Sequence, residues 1–178
     1  LHLRYAVELR ESLPESVRAA ARDPQRATAL LYALLLSEDA ATRATQLAEL
    51  APRTTPAIHD QTVALWPEVL PLAQRARLPV VNLALPALRQ MRADEFQKFS
   101  ATLAWLIESD EQIVLFEYVL QKIIQRQIVP HFTRARPAAT QFYTLKPLAP
   151  DCAVLLSALA HTGQTEPAEI FKAFQNGV

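Results

Sequence analysis

The stretch DPQRATALLYALLL, residues 23–36, decides the fold of this chain. Asp23 is a residue that caps helix starts, and Pro24 fits the first helical position because its missing N–H has no partner there. Four leucines then recur on one helical face: Leu30, Leu31, Leu34 and Leu35. The pattern predicts a core helix from Pro24 to Leu36.

The numbers of glycine and proline residues indicate that the rest of the chain is helical as well. The 178 residues include two glycines and 13 prolines, whereas sheets joined by tight hairpins usually need glycine or Asn-Gly turns. A hydrophobic fraction of 51% is ample for a buried core. We therefore predict an all-α fold, an irregular multi-helix bundle with proline-punctuated helices, as a single helical domain over residues 1–178.

The sequence after the core helix predicts one regular helix and then several helices interrupted by prolines. A helix from about Asp39 to Ala51 should turn one set of residues inward, namely Ala40, Ala44, Leu47 and Ala51, with Arg43 and Glu49 outward. Four prolines follow and should break the chain into short or kinked helices, because an interior proline removes a backbone hydrogen bond. They are Pro67, Pro71, Pro79 and Pro86.

The second half contains the clearest helix pair. One apolar stripe runs through Phe96, Phe99, Leu103 and Leu106, and the next through Phe116, Val119, Leu120, Ile123 and Ile124. Both stripes have helical spacing, so we predict a helical hairpin that turns through residues 109–112.

The segment 130–150 is rich in proline and aromatic residues. We interpret it as a connector packed on the surface, followed by a C-terminal helical pair over 151–178 in which Thr165 caps the second helix. Phe132 and Tyr143 are candidates for a partner-binding surface, since apolar rings outside a regular helix are harder to bury. The alternative is that these rings only hold the connector against the core.

Charge and hydropathy exclude several classes of function. Eighteen basic residues balance 18 acidic ones, so the basic surface typical of nucleic-acid binding is missing. The longest apolar run, Ala29 to Leu36, is shorter than the ~20 residues that cross a bilayer, so we expect no membrane insertion by this segment. Because the chain starts at Leu1 instead of Met, we expect it to be a piece of a longer protein.

The sequence offers no catalytic residues. His59 and Asp60 are neighbours that should point about 100° apart on a helix, which prevents the contact that a catalytic triad needs. The other histidines, His2, His131 and His161, lack paired metal-ligand spacing. Cys152 is the only cysteine, and an inert buried thiol is the simpler interpretation. We therefore expect no enzyme activity and no bound cofactor in this segment.

The acidic turn within residues 106–117 resembles a calcium-binding loop in part. With Glu117 as the last ligand, Asp110 takes the fifth position, but Leu106 falls at the first and Glu111 where glycine is required. We predict no calcium or zinc site. In the simpler alternative, Asp110 and Glu111 start the second helix of the hairpin, where its dipole favours acidic side chains.

Four blocks of sequence in order carry a resemblance to a known family. They are ALLYALLLSEDAATRATQLAEL at 29–50, RLPVVNLALPALRQM at 77–91, EFQKFSATLAWLIESDEQIVLFEYVLQKII at 95–124 and AVLLSALAHTG at 153–163. Together they resemble the C-terminal region of bacterial membrane-anchored HtpX-like zinc metalloproteases. The hairpin is also similar to the TerB-like helical fold, although Glu111 and Val114 depart from its acidic turn.

The resemblance implies a non-catalytic accessory domain. Its parent protease would hold zinc in an H-E-x-x-H motif upstream of Leu1, and this domain would lie on the cytoplasmic side of the bacterial inner membrane. Its partner would be another protein or its own protease domain, with Phe132, Tyr143, Asp110 and Glu111 as the candidate surface. The alternative is a stand-alone TerB-like scaffold in envelope or metal stress, in which the acidic turn binds a divalent cation.

Overall fold

The computed structural model describes residues 13–109, 114–133, 142–163 and 166–177. Within these ranges every regular element is a helix, which confirms the all-α prediction. The chain divides into two compact units, Leu1–Ala135 and Arg136–Val178, which we call the first and the second unit. The division lies inside the segment 130–150.

The first unit is a bundle of helices with one short 3-10 turn at Ala51–Arg53. Its described helices are α1 Glu15–Ala20, α2 Pro24–Leu35, α3 Ala40–Leu50, α4 Pro56–Val69, α5 Gln74–Leu88, α6 Ala93–Glu108, α7 Leu115–Gln127 and α8 Val129–Phe132.

Helix α2 is the centre of the first unit. It begins as predicted, with the Asp23 carboxylate accepting a hydrogen bond from the Arg26 N–H at 2.9 Å. Every residue from Ala27 to Leu35 is buried, because α1, α4, α5 and α6 all pack against this helix. The predicted leucine face is therefore in the core, and the opposite face of the helix is buried as well.

The inward face of α3 differs from the prediction. Ala40 and Ala44 are exposed, whereas Gln46 and Leu50 are buried. Gln46 accepts a hydrogen bond from the Ser37 N–H at 2.8 Å and donates one to the Ser109 hydroxyl at 2.7 Å. A buried amide with both ends paired is stable in a core, and hydropathy alone cannot identify such a residue.

Three of the four prolines after α3 do not shorten the helices, which was one of the two predicted outcomes. Pro67 lies inside α4, a helix of 14 residues, and Pro79 and Pro86 lie inside α5, a helix of 15 residues. Only Pro71 of the four lies between the two helices. Packing of α4 against α2 and of α5 against α2 and α7 offsets the lost backbone hydrogen bonds.

The helices of the predicted hairpin lie at α6 and α7. The whole stripe of α6 is buried, from Phe96 to Leu106. In α7, Leu120 and Ile124 are buried, and this helix packs mainly against α5 and α8. The turn between α6 and α7 lies outside the described residues.

The second unit contains a 3-10 turn at Lys146–Leu148 and two helices, α9 Ala149–Gly163 and α10 Pro167–Gly177. The helices pack against each other, and a Cβ at Gly177 would lie 2.9 Å from Cδ2 of Leu156, so glycine permits this approach. Thr165, the predicted cap, lies outside the described residues. Ala160 is buried, while most other described residues of the unit are exposed or half-buried.

Candidate functional site

A cleft of about 460 Å³ opens on the first unit between three segments: α2, the stretch from Pro52 to Ile58, and the first turns of α6. This volume is within the range of small-molecule and short-peptide pockets. We call it the α2–α6 cleft. All its lining residues belong to the first unit.

Two local features position the walls of the α2–α6 cleft. On one side, the Thr54 hydroxyl donates to the Leu50 carbonyl at 3.2 Å, and the Thr55 hydroxyl accepts from the Ile58 N–H at 3.3 Å. These bonds end α3 and start α4 within a few residues. On the other side, the Glu95 carboxylate accepts from the Arg92 N–H at 2.8 Å and starts α6.

The floor of the cleft is apolar and aromatic. Tyr32 and Phe99 are buried there with ring centroids 5.9 Å apart and planes at 29°, a stacked pair. The Tyr32 hydroxyl donates to the Phe99 carbonyl at 3.5 Å, and burial raises the pKa of this hydroxyl far above its ordinary value. Tyr32 is therefore a neutral hydrogen-bonding group at every physiological pH.

The rim of the cleft carries charge of both signs. Asp94 accepts two bonds from the Arg92 guanidinium, at 2.8 and 3.1 Å, and these hold the pKa of its carboxyl below the usual range. Lys98 has no ion pair within the described part of the chain. Arg53 lies 4.5 Å from the Trp105 ring centroid and 3.5 Å from Glu49. The rim thus offers Lys98 and Arg53 as hydrogen-bond donors.

The titratable groups that line the cleft are few. The cleft lining contains no histidine or cysteine, and its two carboxylates already accept hydrogen bonds at the start of α6. A general acid or base needs a proton that it can exchange near neutral pH. Neither an ionised Asp94 nor a neutral Tyr32 meets that requirement.

The predicted separation of His59 and Asp60 is wrong. Nδ1 of His59 lies 3.4 Å from a carboxylate oxygen of Asp60, because both side chains bend toward each other at the exposed surface of α4. Neither residue lines the α2–α6 cleft. The pair is a solvent-exposed contact without a neighbouring nucleophile in the cleft.

The remaining candidates for chemistry are dispersed. His131 is exposed on α8, Nδ1 of His161 lies 2.8 Å from the Ser157 carbonyl, and Cys152 is half-buried in α9. No group of three or more His, Cys, Asp or Glu side chains that could hold a metal occurs in the described ranges.

The two described residues of the predicted partner surface have different local environments. Phe132 stacks on Phe96 with ring centroids 4.3 Å apart, as expected for a ring that holds its segment against the core. Tyr143 is 89% exposed in the second unit. Asp110 and Glu111 lie outside the described residues. Glu117, the last ligand in the calcium-loop alignment, is buried and accepts from the Val114 N–H at 3.0 Å at the start of α7.

Sequence reasoning did not identify the α2–α6 cleft. Its lining comes from segments that lie far apart in the sequence, and its charged residues follow no recognisable motif. One local signal was present: Tyr32 interrupts a run of aliphatic residues in α2 with a hydroxyl that needs a hydrogen-bond partner.

No protein-family model, no curated protein and no solved structure matches this chain. None of the described helices is long and apolar enough to span a membrane. The function of the chain must therefore be argued from its residues and their geometry.

Proposed function

We propose that this chain is a non-catalytic binding module that holds an extended peptide segment in the α2–α6 cleft. The observation that carries the proposal is the cleft itself, with the stacked and buried rings of Tyr32 and Phe99 beneath it and hydrogen-bond donors at its rim. Such a site combines apolar contact area with a few polar groups that fix orientation, as peptide-binding sites do.

The chemistry of the cleft supports an apolar peptide over a small polar metabolite. The floor lies over buried side chains, among them Met91 and Phe99, so the surface that a ligand meets there offers apolar atoms and few polar partners. Lys98 and Arg53 can donate to the carbonyl groups of a bound main chain. An extended peptide supplies apolar side chains and carbonyl acceptors together.

In the wider proposal, the module belongs to a membrane-anchored zinc peptidase of the HtpX-like kind. The support is the resemblance of four ordered sequence blocks and the lack of any acid–base pair in the cleft. The zinc and its H-E-x-x-H motif would then lie in the parent protein, and this module would present substrates or partners to it on the cytoplasmic side of the membrane.

Tryptophan fluorescence tests peptide binding directly. The chain has two tryptophans; Trp105 contacts the rim residue Arg53, and Trp66 stacks under Arg43 at 3.8 Å, away from the cleft. In a Trp66→Phe background, we expect titration with a short unstructured Leu- and Phe-rich peptide to change Trp105 emission saturably. A matched peptide with Ser in place of Leu and Phe should have no effect.

A cleft-filling variant and its control make this test specific. Gln25 is exposed on the α2 wall of the cleft, so Gln25→Phe should fill it and weaken peptide binding at least tenfold. Gln125 is equally exposed on α7 and does not line the cleft, so Gln125→Phe should bind as the parent chain does. Equal binding by both variants would remove the cleft from the proposal.

The parent protein tests the wider proposal. A protease with and without Leu1–Val178, matched for expression and zinc content, should cleave a short unstructured peptide in both forms. Only the complete form should cleave a folded membrane substrate efficiently, because removal of this segment takes away no zinc ligand or catalytic base. If the truncated protease binds zinc but cannot cleave the short peptide, the non-catalytic role is wrong.

A further inference from the structure

The two cations that line the α2–α6 cleft lie at one end of it. Arg53 and Lys98 also line a second hollow of about 430 Å³, which follows one face of α6 toward the C-terminal end of that helix. The other residues of this hollow come after Lys98 in α6: Ala101, Thr102 and Trp105. Residues that line two adjoining hollows lie at their border, so the positive charge of the cleft is concentrated at its Trp105 end.

The negative charge of the cleft lies toward the start of α6 and already has partners. Asp94 and Glu95 belong to the first turn of this helix, about one turn before Lys98. The Asp94 carboxylate accepts two hydrogen bonds from the Arg92 guanidinium, and the Glu95 carboxylate accepts one from the Arg92 N–H. A ligand carboxylate therefore meets like charge at this end of the cleft and opposite charge at the Trp105 end.

The cations at the Trp105 end have hydrogen bonds left to donate. Lys98 has no ion pair within the described ranges of the chain. The Arg53 guanidinium lies over the Trp105 ring, and its contact with the exposed Glu49 carboxylate is long, at 3.5 Å. An exposed ion pair of this length contributes little to stability, so a ligand carboxylate can take the place of Glu49. Arginine suits that role because its planar fork of N–H groups matches the two oxygens of a carboxylate.

Other donors in the cleft lining are weaker or already engaged. Three hydroxyl groups each donate their proton to a backbone carbonyl of the chain: Thr28, Tyr32 and Thr54. A hydroxyl has a single proton to donate, so these groups offer a ligand acceptor atoms only. The charged donors of the lining are Arg53 and Lys98, and their natural partner is an anionic oxygen.

We propose that the α2–α6 cleft recognises the C-terminal end of a peptide, with the free carboxylate at Lys98 and Arg53 and the last apolar side chain above the buried rings of Tyr32 and Phe99. In a C-terminal residue, the carboxylate and the side chain are attached to the same Cα and lie next to each other. Lys98 and Phe99 are consecutive in α6 and both line the cleft, so the cation and the apolar floor are equally close.

An acidic residue inside a peptide fits this arrangement less well. A glutamate carries its carboxylate at the end of a flexible side chain, and no apolar group shares its Cα. Ordering that side chain on binding costs conformational entropy, which a terminal carboxylate does not lose. This inference rests on the proposed function, because it names the class of peptide that the cleft holds.

Amidation of the peptide tests the carboxylate. We use the full chain with Trp66→Phe and an N-acetylated Leu- and Phe-rich peptide, and Trp105 emission reports binding. The free acid should bind about tenfold more tightly than the C-terminal amide, because hydrogen bonds between ionised groups are roughly twice as strong as neutral ones. The difference should shrink at high salt, which screens exposed charges. Equal affinities would overturn this inference and leave peptide binding intact, whereas no binding of either peptide would overturn both.

The variant Lys98→Met tests where the carboxylate lies. It removes the ammonium group and keeps a side chain of similar length, so the free acid should bind only as tightly as the amide. Its affinity for the amide should stay that of the parent chain, which is the control for an intact cleft. Lys122→Met makes the same change on α7, outside the cleft lining, and should keep the tenfold preference. If Lys98→Met keeps that preference, the proposed position of the carboxylate is wrong.

Two further ligands test whether the cleft requires a chain end. A peptide amide with one internal Glu should bind as weakly as the plain amide; binding equal to that of the free acid would mean that any carboxylate suffices. Decanoate offers a carboxylate on an apolar chain without peptide groups and should bind more weakly than the free-acid peptide. Tighter binding of decanoate would point to a fatty acid as the ligand and overturn the assignment to a peptide terminus.

Discussion

Helices α2 and α9 are similar in sequence character and opposite in environment. Both are rich in leucine and alanine, with 12 residues in α2 and 15 in α9. Four helices of the first unit cover α2, so that all residues from Ala27 to Leu35 are buried. Within the described residues of the second unit, α9 packs against α10 and the adjoining 3-10 turn, and most of its residues are exposed or half-buried. An apolar helix sequence therefore predicts that the helix packs against a partner, but it does not specify which part of the protein that partner is.

The largest expected effect comes from the same substitution in the two helices. Leu31→Ala in α2 should lower the free energy of unfolding of the first unit by about 2–5 kcal/mol, since it leaves a cavity in a closed core. Leu155→Ala in α9 should change stability by less than about 0.5 kcal/mol, because its side chain is mostly exposed. Denaturant unfolding measures both values.

The fluorescence signal separates the units in this experiment. Both tryptophans, Trp66 and Trp105, belong to the first unit, so their emission follows that unit alone, while far-ultraviolet circular dichroism follows all helices. A large loss of stability in Leu155→Ala would mean that α9 is buried within one chain, and the comparison between the helices would fail.

The second prediction concerns the buried amide in α3. Gln46→Ala leaves the Ser37 N–H without its partner and removes the bond that the Ser109 hydroxyl accepts, although this hydroxyl still donates to the Leu106 carbonyl. The change should lower the stability of the first unit by about 1–3 kcal/mol. Gln125→Ala, at an exposed position on α7, serves as the control and should change stability by less than about 0.5 kcal/mol. Equal effects would mean that the Gln46 hydrogen bonds contribute little.

The sequence predicted the helices better than it predicted what surrounds them. The class of fold, the start of α2 at Asp23 and the buried stripe of α6 follow from local rules of capping and periodicity. The prediction of the inward face of α3 was wrong because Gln46 is buried. Its side chain bonds to Ser37 and to Ser109, and Ser109 is distant in sequence. The helices that contain Pro67, Pro79 and Pro86 are longer than the short helices that were one of the two predicted outcomes, because tertiary packing offsets the hydrogen bonds that these prolines remove.

The candidate site was harder to predict than the fold. A cleft is defined by the space between segments, and Arg53 of the 3-10 turn contacts Trp105 of α6 across 52 residues of sequence. Ideal helix geometry predicted no contact between His59 and Asp60, but exposed side chains can bend toward each other. The roles of Phe132 and Tyr143 could not be separated, because sequence does not show which ring finds a neighbour.

The third prediction compares the starts of α2 and α9. Asp23→Ala removes the side chain that accepts the Arg26 N–H and should lower the stability of the first unit by about 1 kcal/mol. Asp151→Ala in the first turn of α9 removes only an exposed charge near the helix dipole, an effect of about 0.3–1 kcal/mol at most. Unfolding followed by circular dichroism and fluorescence distinguishes the two. A larger effect from Asp151 would indicate an additional partner for its carboxylate.

The smallest expected effect is a pH dependence in the first unit that originates at the start of α3. The Thr42 N–H, and then the Thr42 hydroxyl, hold the pKa of the Asp39 carboxyl below its ordinary value of 3.8. A carboxyl with a lowered folded-state pKa stabilises the fold fully above its ordinary pKa and loses that contribution as the pH falls through the folded-state value.

Asp39→Asn keeps a capping side chain without the charge, so the stability difference between parent and variant should shrink as the solution is acidified below about pH 4. Tryptophan-detected unfolding across this range measures the difference in the first unit alone, and nuclear magnetic resonance of the Asp39 carboxyl measures its pKa directly. If the difference stays constant from neutral pH to pH 2, the hydrogen bonds from Thr42 do not favour the ionised carboxylate, and the acid sensitivity of the first unit must come from another group.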